Sequence, residues 1–331
     1  MKINFPLRFN ILSIFIFVLV STVAFILLYS YSNNSKVFLL QSKAAINTGS
    51  RYCIDRTRSY LNPAGKLSLV ASSLISKDIV SFENWSKVET MGIDFIKEYP
   101  QLAMFNFGDK DGNYLMIKKM PDKTLATKII DRRRKPHKAI WKYRNLDGKV
   151  IKTNISTDFS YDPRKQVWFK NAVEDKALSW SVLYFFDKDK KPGISASYPI
   201  INEKGEVLGV LGFDITLEEL SEYLKSANIS QNAESLIINS RGVIIACTNP
   251  ERAIINKQGK LTAARIDQLD NKWLTRSYVL YMINKLERFD FVCKGKKYLA
   301  SYMNFPKITG DRWKLIMVAP EKDFTGSLES T

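Results

Sequence analysis

Leu102-Ala-Met-Phe-Asn-Phe107, Asp109-Lys-Asp-Gly-Asn113 and Tyr114-Leu-Met-Ile117 run in succession. Two short apolar runs around a glycine-bearing polar turn read as strand, turn, strand. The unit recurs as Trp141-Lys-Tyr143 before Leu146-Asp-Gly-Lys-Val150, and as Ser195–Ile201, Glu203-Lys-Gly205, Val207–Ile215. It appears once more as Leu236-Ile-Ile-Asn239, Ser240-Arg-Gly242, Val243-Ile-Ile245. Hairpins closed by glycine turns and separated by short helices predict an α+β fold with antiparallel sheets. A doubly wound α/β fold would need helical crossovers between parallel strands.

Towards the N-terminus the period changes to that of helices. Trp85, Val88, Met91 and Phe95 share a helical face and are expected in the core. Lys36 to about Ser76 reads as a long stalk helix with Leu67, Val70 and Leu74 on one stripe, and Pro63 with Gly65 is expected to kink or break it. Before it, Phe9 to Ser35 carry no charge and Ile11 to Tyr29 are almost wholly apolar, enough to span a hydrocarbon core of roughly 30 Å. Thr22-Val-Ala24 offers small residues for a signal-peptidase site. Phe25-Ile-Leu-Leu-Tyr29 carries the apolar run past it, so the segment reads as a retained anchor. Lys2 and Arg8 flank the short side without an acid, which keeps the N-terminus cytoplasmic and sends the remainder outward.

Towards the C-terminus, Thr216-Leu-Glu-Glu-Leu-Ser-Glu-Tyr-Leu-Lys225 is a helix with a Thr216/Glu219 capping box, and it closes a first module near Ala227. A smaller module follows, with strands over Leu236–Ile245, Phe289–Cys293, Tyr298–Met303 and Trp313–Val318. Expected boundaries are a stub (1–8), a transmembrane helix (9–35), stalk and packing helices (36–100), a membrane-distal module (101–228) and a membrane-proximal one (229–328).

Composition excludes several classes. The chain is 45% hydrophobic and can bury real cores. Cys53, Cys247 and Cys293 form no CxxC pair; Cys247 and Cys293 are the pair a disulfide would use, and unpaired buried thiols are the expectation. His137 is the only histidine and lies in the charged run Asp131-Arg-Arg-Arg-Lys-Pro-His-Lys138, so it reads as a solvated loop residue. No phosphate loop and no catalytic carboxylate pair are present, so no catalytic residue, metal or cofactor is expected. The net charge of +17 suits nucleic acid in general, but an exported chain without aromatic-interleaved basic motifs does not. Arg132–Lys138 is the candidate anion-attracting patch.

Tyr161-Asp-Pro-Arg-Lys-Gln-Val-Trp-Phe169, then Tyr184, Ala196-Ser-Tyr-Pro199, Gly209-Val-Leu-Gly-Phe-Asp214 and the tail Trp313–Phe324 carry a resemblance. From about Val37 to Leu328 the chain resembles the double Cache family: bacterial extracytoplasmic sensors built of two PAS-like modules behind a membrane helix. In amino-acid-binding members an Arg two residues before the Trp holds the ligand carboxylate, and a Tyr and an Asp hold its ammonium. The resemblance places these roles at Trp168, Tyr184 and Asp214, with Gln166 where the Arg would be. A neutral amide cannot make the bidentate charged pair, so the ammonium half remains and an amine or other small polar ligand is expected. Phe169, Ser195 and Ser197 adjoin these positions and complete the candidate set.

The residues carry some of this alone. Leu208, Val210, Gly212 and Asp214 share one strand face, and a glycine two places before the carboxylate leaves room beside it. Trp168 and Tyr184 offer faces for a cation, or simply core. Asp214 can alternatively cap the next helix, although Thr216 is better placed to do so. Tyr161-Asp-Pro-Arg164 reads as a turn in which Arg164 bonds carbonyls. The expected protein is a single-pass sensor of a bacterial inner or plasma membrane, dimerising through its stalk. Alternatives are the sensory part of a longer receptor with a cyclase, kinase, phosphodiesterase or chemotaxis output beyond Thr331, or a surface adhesion protein.

Overall fold

The computed structural model describes residues 7–80, 84–133, 135–157, 160–186, 192–226, 230–257, 259–305 and 312–325. The helix α1 (Leu7–Ser76) runs for 70 residues, about 105 Å at the rise of an α-helix. Ser13–Ser30 is long and apolar enough to cross a membrane, and none of it is buried in the protein.

Beyond the apolar run, α1 packs a narrow stripe: Ile46, Ser50, Cys53, Thr57, Leu61, Ala64, Ser68, Ser72 and Ile75 are all buried. This corrects the expected stripe, since Val70 is 45% exposed and Leu67 only half-buried. The buried positions are mostly small or polar, so helix and sheet approach closely while hydropathy gives little signal. The expected break at Pro63 is also absent, and α1 is continuous through it. Leu61 and Ala64 are pinned in the core on either side, and that packing offsets the lost backbone hydrogen bond.

The second helix, α2 (Trp85–Glu98), is capped by Asn84, whose side chain accepts from the Lys87 amide. It buries Trp85 and Val88, with Phe95 half-buried against the Phe213 ring at 5.9 Å. Nine strands follow in the first sheet: β1 (Met104–Asp109), β2 (Tyr114–Lys119), β3 (Leu125–Asp131), β4 (Lys138–Arg144), β5 (Val150–Ser156), β6 (Ser179–Trp180), β7 (Tyr184–Phe185), β8 (Pro192–Ile201) and β9 (Val207–Thr216). Their order is β5-β4-β3-β2-β1-β9-β8-β6, with β7 also on β8, and every pairing is antiparallel. The helix α3 (Val167–Asp175) lies between β5 and β6, and α4 (Leu217–Ser226) follows β9. Thr216 caps α4: its Oγ1 accepts from the Glu219 amide at 3.2 Å.

A second sheet holds β10 (Glu234–Ile238), β11 (Ile244–Cys247), β14 (Arg288–Cys293), β15 (Lys296–Asn304) and β16 (Lys314–Pro320), in the order β11-β10-β16-β15-β14. A ribbon of β12 (Ile254–Lys257) and β13 (Lys260–Ala263), and α5 (Lys272–Asn284), lie in the connection between β11 and β14. The predicted hairpins match β1–β2, β4–β5, β8–β9 and β10–β11. Their turn glycines Gly112, Gly148, Gly205 and Gly242 all have positive φ, where a side chain would be strained. Cys247 and Cys293 sit on opposite edge strands of the second sheet, four strand spacings or about 19 Å apart, and both are free thiols. His137 is half-buried just before β4, not the solvated loop residue expected.

The first sheet divides its side chains between two cores. Phe105, Phe107, Leu115, Ile117, Leu211 and Phe213 join α1 and α2 on one face. Met104, Tyr114, Met116, Ile130 and Val210 join Trp168 and Phe169 of α3 on the other.

Candidate ligand site

The site lies on the α3 face of the first sheet, and strand register builds it. One row of facing residues crosses from β4 to β8 as Trp141, Lys128, Met116, Asn106, Gly212 and Ser197. The neighbouring row reads Tyr143, Ala126, Lys118, Met104, Asp214 and Ser195. Side chains at these positions share one face because strand residues alternate.

Above the two rows is a cavity of about 40 Å³. Asp214, Asn106, Gln166, Lys118 and Lys128 give its walls their polar groups; the rings of Tyr114, Trp141, Tyr161, Trp168, Tyr184 and Phe186, with Met104 and Met116, supply the remainder. Gln166, Trp168, Tyr184 and Asp214 are thus brought together. Phe169 is not on the wall; it packs edge-on against Trp168 and behind Gly108, where a Cβ would meet Pro163 at 2.7 Å. Ser195 is fully buried and works through Asp214. Ser197 is buried, with no hydrogen-bond partner for its hydroxyl among the described residues. The room expected beside Gly212 is taken by the Trp168 indole, 3.5 Å from where a Cβ would stand.

A chain of hydrogen bonds holds Asp214, which is 2% exposed. Ser195 Oγ donates to its Oδ1, and Asn106 Nδ2 donates to its Oδ2 at 2.9 Å. Tyr184 Oη lies 2.7 Å from Ser195 Oγ, and Tyr114 donates its hydroxyl to Asn106 Oδ1 at 2.6 Å. Burial pushes the Asp214 carboxyl up to about 7, against the pull of the Ser195 and Asn106 hydrogen bonds. Neither of these donors carries charge. A cation entering the cavity would supply what the carboxylate lacks, and the surrounding rings can hold such a cation by their faces.

The lid over the rows is anchored from outside. Trp168 Nε1 donates to Tyr161 Oη at 3.3 Å, and Tyr161 packs on Tyr114 with ring centroids 4.4 Å apart. Arg132 Nη2 donates to the Tyr161 carbonyl at 2.8 Å and its Nη1 to the Gly112 carbonyl. Arg133 pairs with Asp131 at 3.0 Å. The expected anion-attracting patch is therefore spent on structure at these two positions, and Arg134 lies outside the described residues. Arg164 behaves as expected, pairing with Asp162 at 2.8 Å and bonding the Lys110 carbonyl at 3.3 Å.

Sequence reasoning missed Asn106, Lys128 and Trp141. A polar residue in an alternating strand reads as solvent-facing, and β3 carries no turn glycine to reveal it. The paired-row register, once known, is the signal that finds all three.

The sequence profile of the family described as the Cache domain, dCache_1, matches residues 127–328. The chain belongs to the Cache domain family. Among solved structures it is similar to the ligand-binding domain of the Pseudomonas fluorescens chemoreceptor CtaA in complex with L-isoleucine, at 13% identity over 88% of this chain and 98% of that one, with a TM-score of 0.58. The Pseudomonas aeruginosa chemoreceptor PctC ligand-binding domain in complex with GABA is similar at 13% identity over 84% and 100%, TM-score 0.54. The extracellular domain of soHK1S-Z6 is similar at 18% identity over 89% and 100%, TM-score 0.57.

Proposed function

We propose that the protein is a membrane-anchored extracytoplasmic sensor whose first-sheet module binds a small amine, with Asp214 holding the ammonium. One observation carries this reading: a carboxylate 2% exposed, on the wall of an aromatic cavity, bonded among the described residues only by the neutral donors Ser195 and Asn106. A purely structural carboxylate at such depth is ordinarily paired with a cation. The structural neighbours are ligand-binding domains of receptors, crystallised with amino acids or GABA, which supports a small nitrogenous ligand here.

The route inward is through β8. Its Ser195 touches Asp214, and its next carbonyl, of Ala196, accepts from Ser68 Oγ of α1 at 3.0 Å. Ser72 Oγ donates to the Pro199 carbonyl at 2.6 Å. A shift of β8 on ligand binding would therefore be felt by the same helix that enters the membrane. The second-sheet module would be membrane-proximal. Leu69 and Val70 leave apolar surface on the outward side of α1, 46% and 45% exposed, which supports a homodimer along the stalk; chemical crosslinking in membranes tests it.

Calorimetric titration of the full chain in detergent with primary amines tests the ligand class. Saturable binding that weakens roughly ten- to a hundredfold in Asp214→Asn is expected. Binding of free α-amino acids with no response to amines would exclude the amine reading.

A further inference from the structure

We propose that the second-sheet module carries a ligand site of its own, an open cleft that takes a mononucleotide by stacking its base on Trp273 and holding its phosphate between lysines. The site is separate from the Asp214 cavity and does not rest on the amine reading. The cleft has a volume of about 700 Å³, against about 40 Å³ at Asp214. Pockets that enclose whole small molecules run from roughly 300 to 1,000 Å³. It lies where β10 and β15 begin and β16 ends: Tyr298 stands opposite Pro320, and Glu234 opposite Val318. Lys225 of α4, Trp273 of α5 and Lys322 of the short helix α6 (Lys322–Thr325) also line it.

Charge in the cleft is one-sided. Among the described residues two acids line it, and both are paired: Glu234 bonds Arg252, and Glu321 lies 3.8 Å from Lys297. Lys225, Lys296 and Lys322 are exposed on the same walls, and none has an ion pair or hydrogen bond among the described residues. Three ammonium groups from three elements, converging on one cleft, raise its potential towards anions. Lysine holds phosphate as a point charge, and a phosphate dianion answers more of this charge than a single carboxylate does. The aromatic wall selects the rest of the ligand. The Trp273 and Tyr298 rings are parallel within 13° at 5.2 Å, and Tyr298 stacks in turn on its cross-strand partner Phe291 at 5.5 Å. Phe291 and Tyr298 are buried, whereas Trp273 is only half-buried. Trp273 is therefore the accessible member of a fixed stack, and a base can add one more layer there, since every base has a π-face.

The test compares adenosine monophosphate, adenosine, inorganic phosphate and benzoate by calorimetric titration of the full chain in nonionic detergent. Adenosine lacks the phosphate, inorganic phosphate lacks the ring, and benzoate has a ring with a single carboxylate. Wild type is expected to bind the nucleotide roughly tenfold or more tightly than any of the other three. The exposed pair Lys296→Glu with Lys322→Glu should weaken the nucleotide by roughly tenfold or more and leave the melting temperature level. Trp273→Leu should bring the nucleotide down to the level of inorganic phosphate; if that variant melts early, the lysine pair alone decides. No nucleotide binding at millimolar concentration, a nucleotide affinity no better than that of adenosine, phosphate or benzoate, or an unaltered affinity in the lysine variant would each overturn the proposal. Asp214→Asn keeps the two sites apart. Nucleotide affinity should be unchanged there, and its loss would place the nucleotide in the first-sheet cavity and overturn the second site, whereas loss of amine binding alone leaves it standing.

Discussion

Asn106 donates its Nδ2 to Asp214 Oδ2 at 2.9 Å, and the amide is oriented from behind, because Tyr114 donates to its Oδ1 at 2.6 Å. Asp214 lies opposite Met104 rather than Asn106 in the β1–β9 register. The bond is therefore a diagonal contact within one sheet face, of the kind neighbouring rows permit. It aims a neutral donor at a carboxylate that has no cationic partner among the described residues.

Replacing Asp214 by Asn should weaken ligand binding without harming the fold. An amide there can accept from Asn106 with its oxygen and donate to Ser195 Oγ with its nitrogen, so the polar chain stays satisfied. Affinity for an amine is expected to fall roughly ten- to a hundredfold, while the ligand-free melting temperature stays level or rises. An early-melting variant that binds normally would contradict the assignment.

The raised carboxyl also sets a pH dependence. Between the ordinary value of 3.8 and about 7 the folded protein keeps a proton on Asp214 that the unfolded chain has lost. The ligand-free protein should therefore lose stability as pH climbs through this range and level off above it. The full effect is on the order of 4 kcal/mol across that span. Urea titrations of wild type and Asp214→Asn at several pH values check this; a variant with the same slope as wild type contradicts it.

Glu89 gives the opposite sign from the other face of the sheet. It bonds Arg144 at 2.5 Å and Lys142 at 2.7 Å, and Arg144 also bonds Thr127, the β3 neighbour of Lys128. Burial alone would raise this carboxyl, but the two cations hold it below its ordinary 4.5. Its contribution is present above that value and disappears as pH falls through the lowered one. Glu89→Gln leaves Arg144 buried without its anion and should cost about 3 kcal/mol or more, with amine affinity unchanged in the folded fraction. A change in ligand selectivity there would mean that the two faces are not independent.

Much of this was readable in the residues because glycine turns and alternation announce hairpins. The four turns at Gly112, Gly148, Gly205 and Gly242 all sit where the sequence puts them. β3 escaped because Leu125, Ala126, Thr127 and Lys128 are buried in succession, on both faces of the sheet, and the lysine imitates a solvent-facing position. The packed stripe of α1 escaped for the converse reason: serines, alanines and a cysteine do that packing, while Val70 points outward. Of the site, Gln166, Trp168, Tyr184 and Asp214 came from the family resemblance. Asn106, Lys128 and Trp141 needed the register, which no local pattern encodes.

The proposed membrane anchoring and its orientation are open to a direct test. Lys2 and Arg8 flank the short side of the apolar run, so protease added to cells with an opened outer layer but an intact inner membrane should degrade the region after Lys36. Protection until the inner membrane is breached would reverse the topology.

Proton release on binding tests the role of Asp214 most directly. Titration of the full chain with butylamine at pH 6, in buffers of differing ionisation enthalpy, should release close to one proton per amine bound, because the ligand-free carboxyl is pushed up to about 7 and the ammonium requires it ionised. At pH 8.5 the release should vanish, and in Asp214→Asn it should be absent at both pH values. Amine binding at pH 6 that releases no proton, with the same affinity in wild type and Asp214→Asn, would contradict the assignment of Asp214 as the group that holds the ligand.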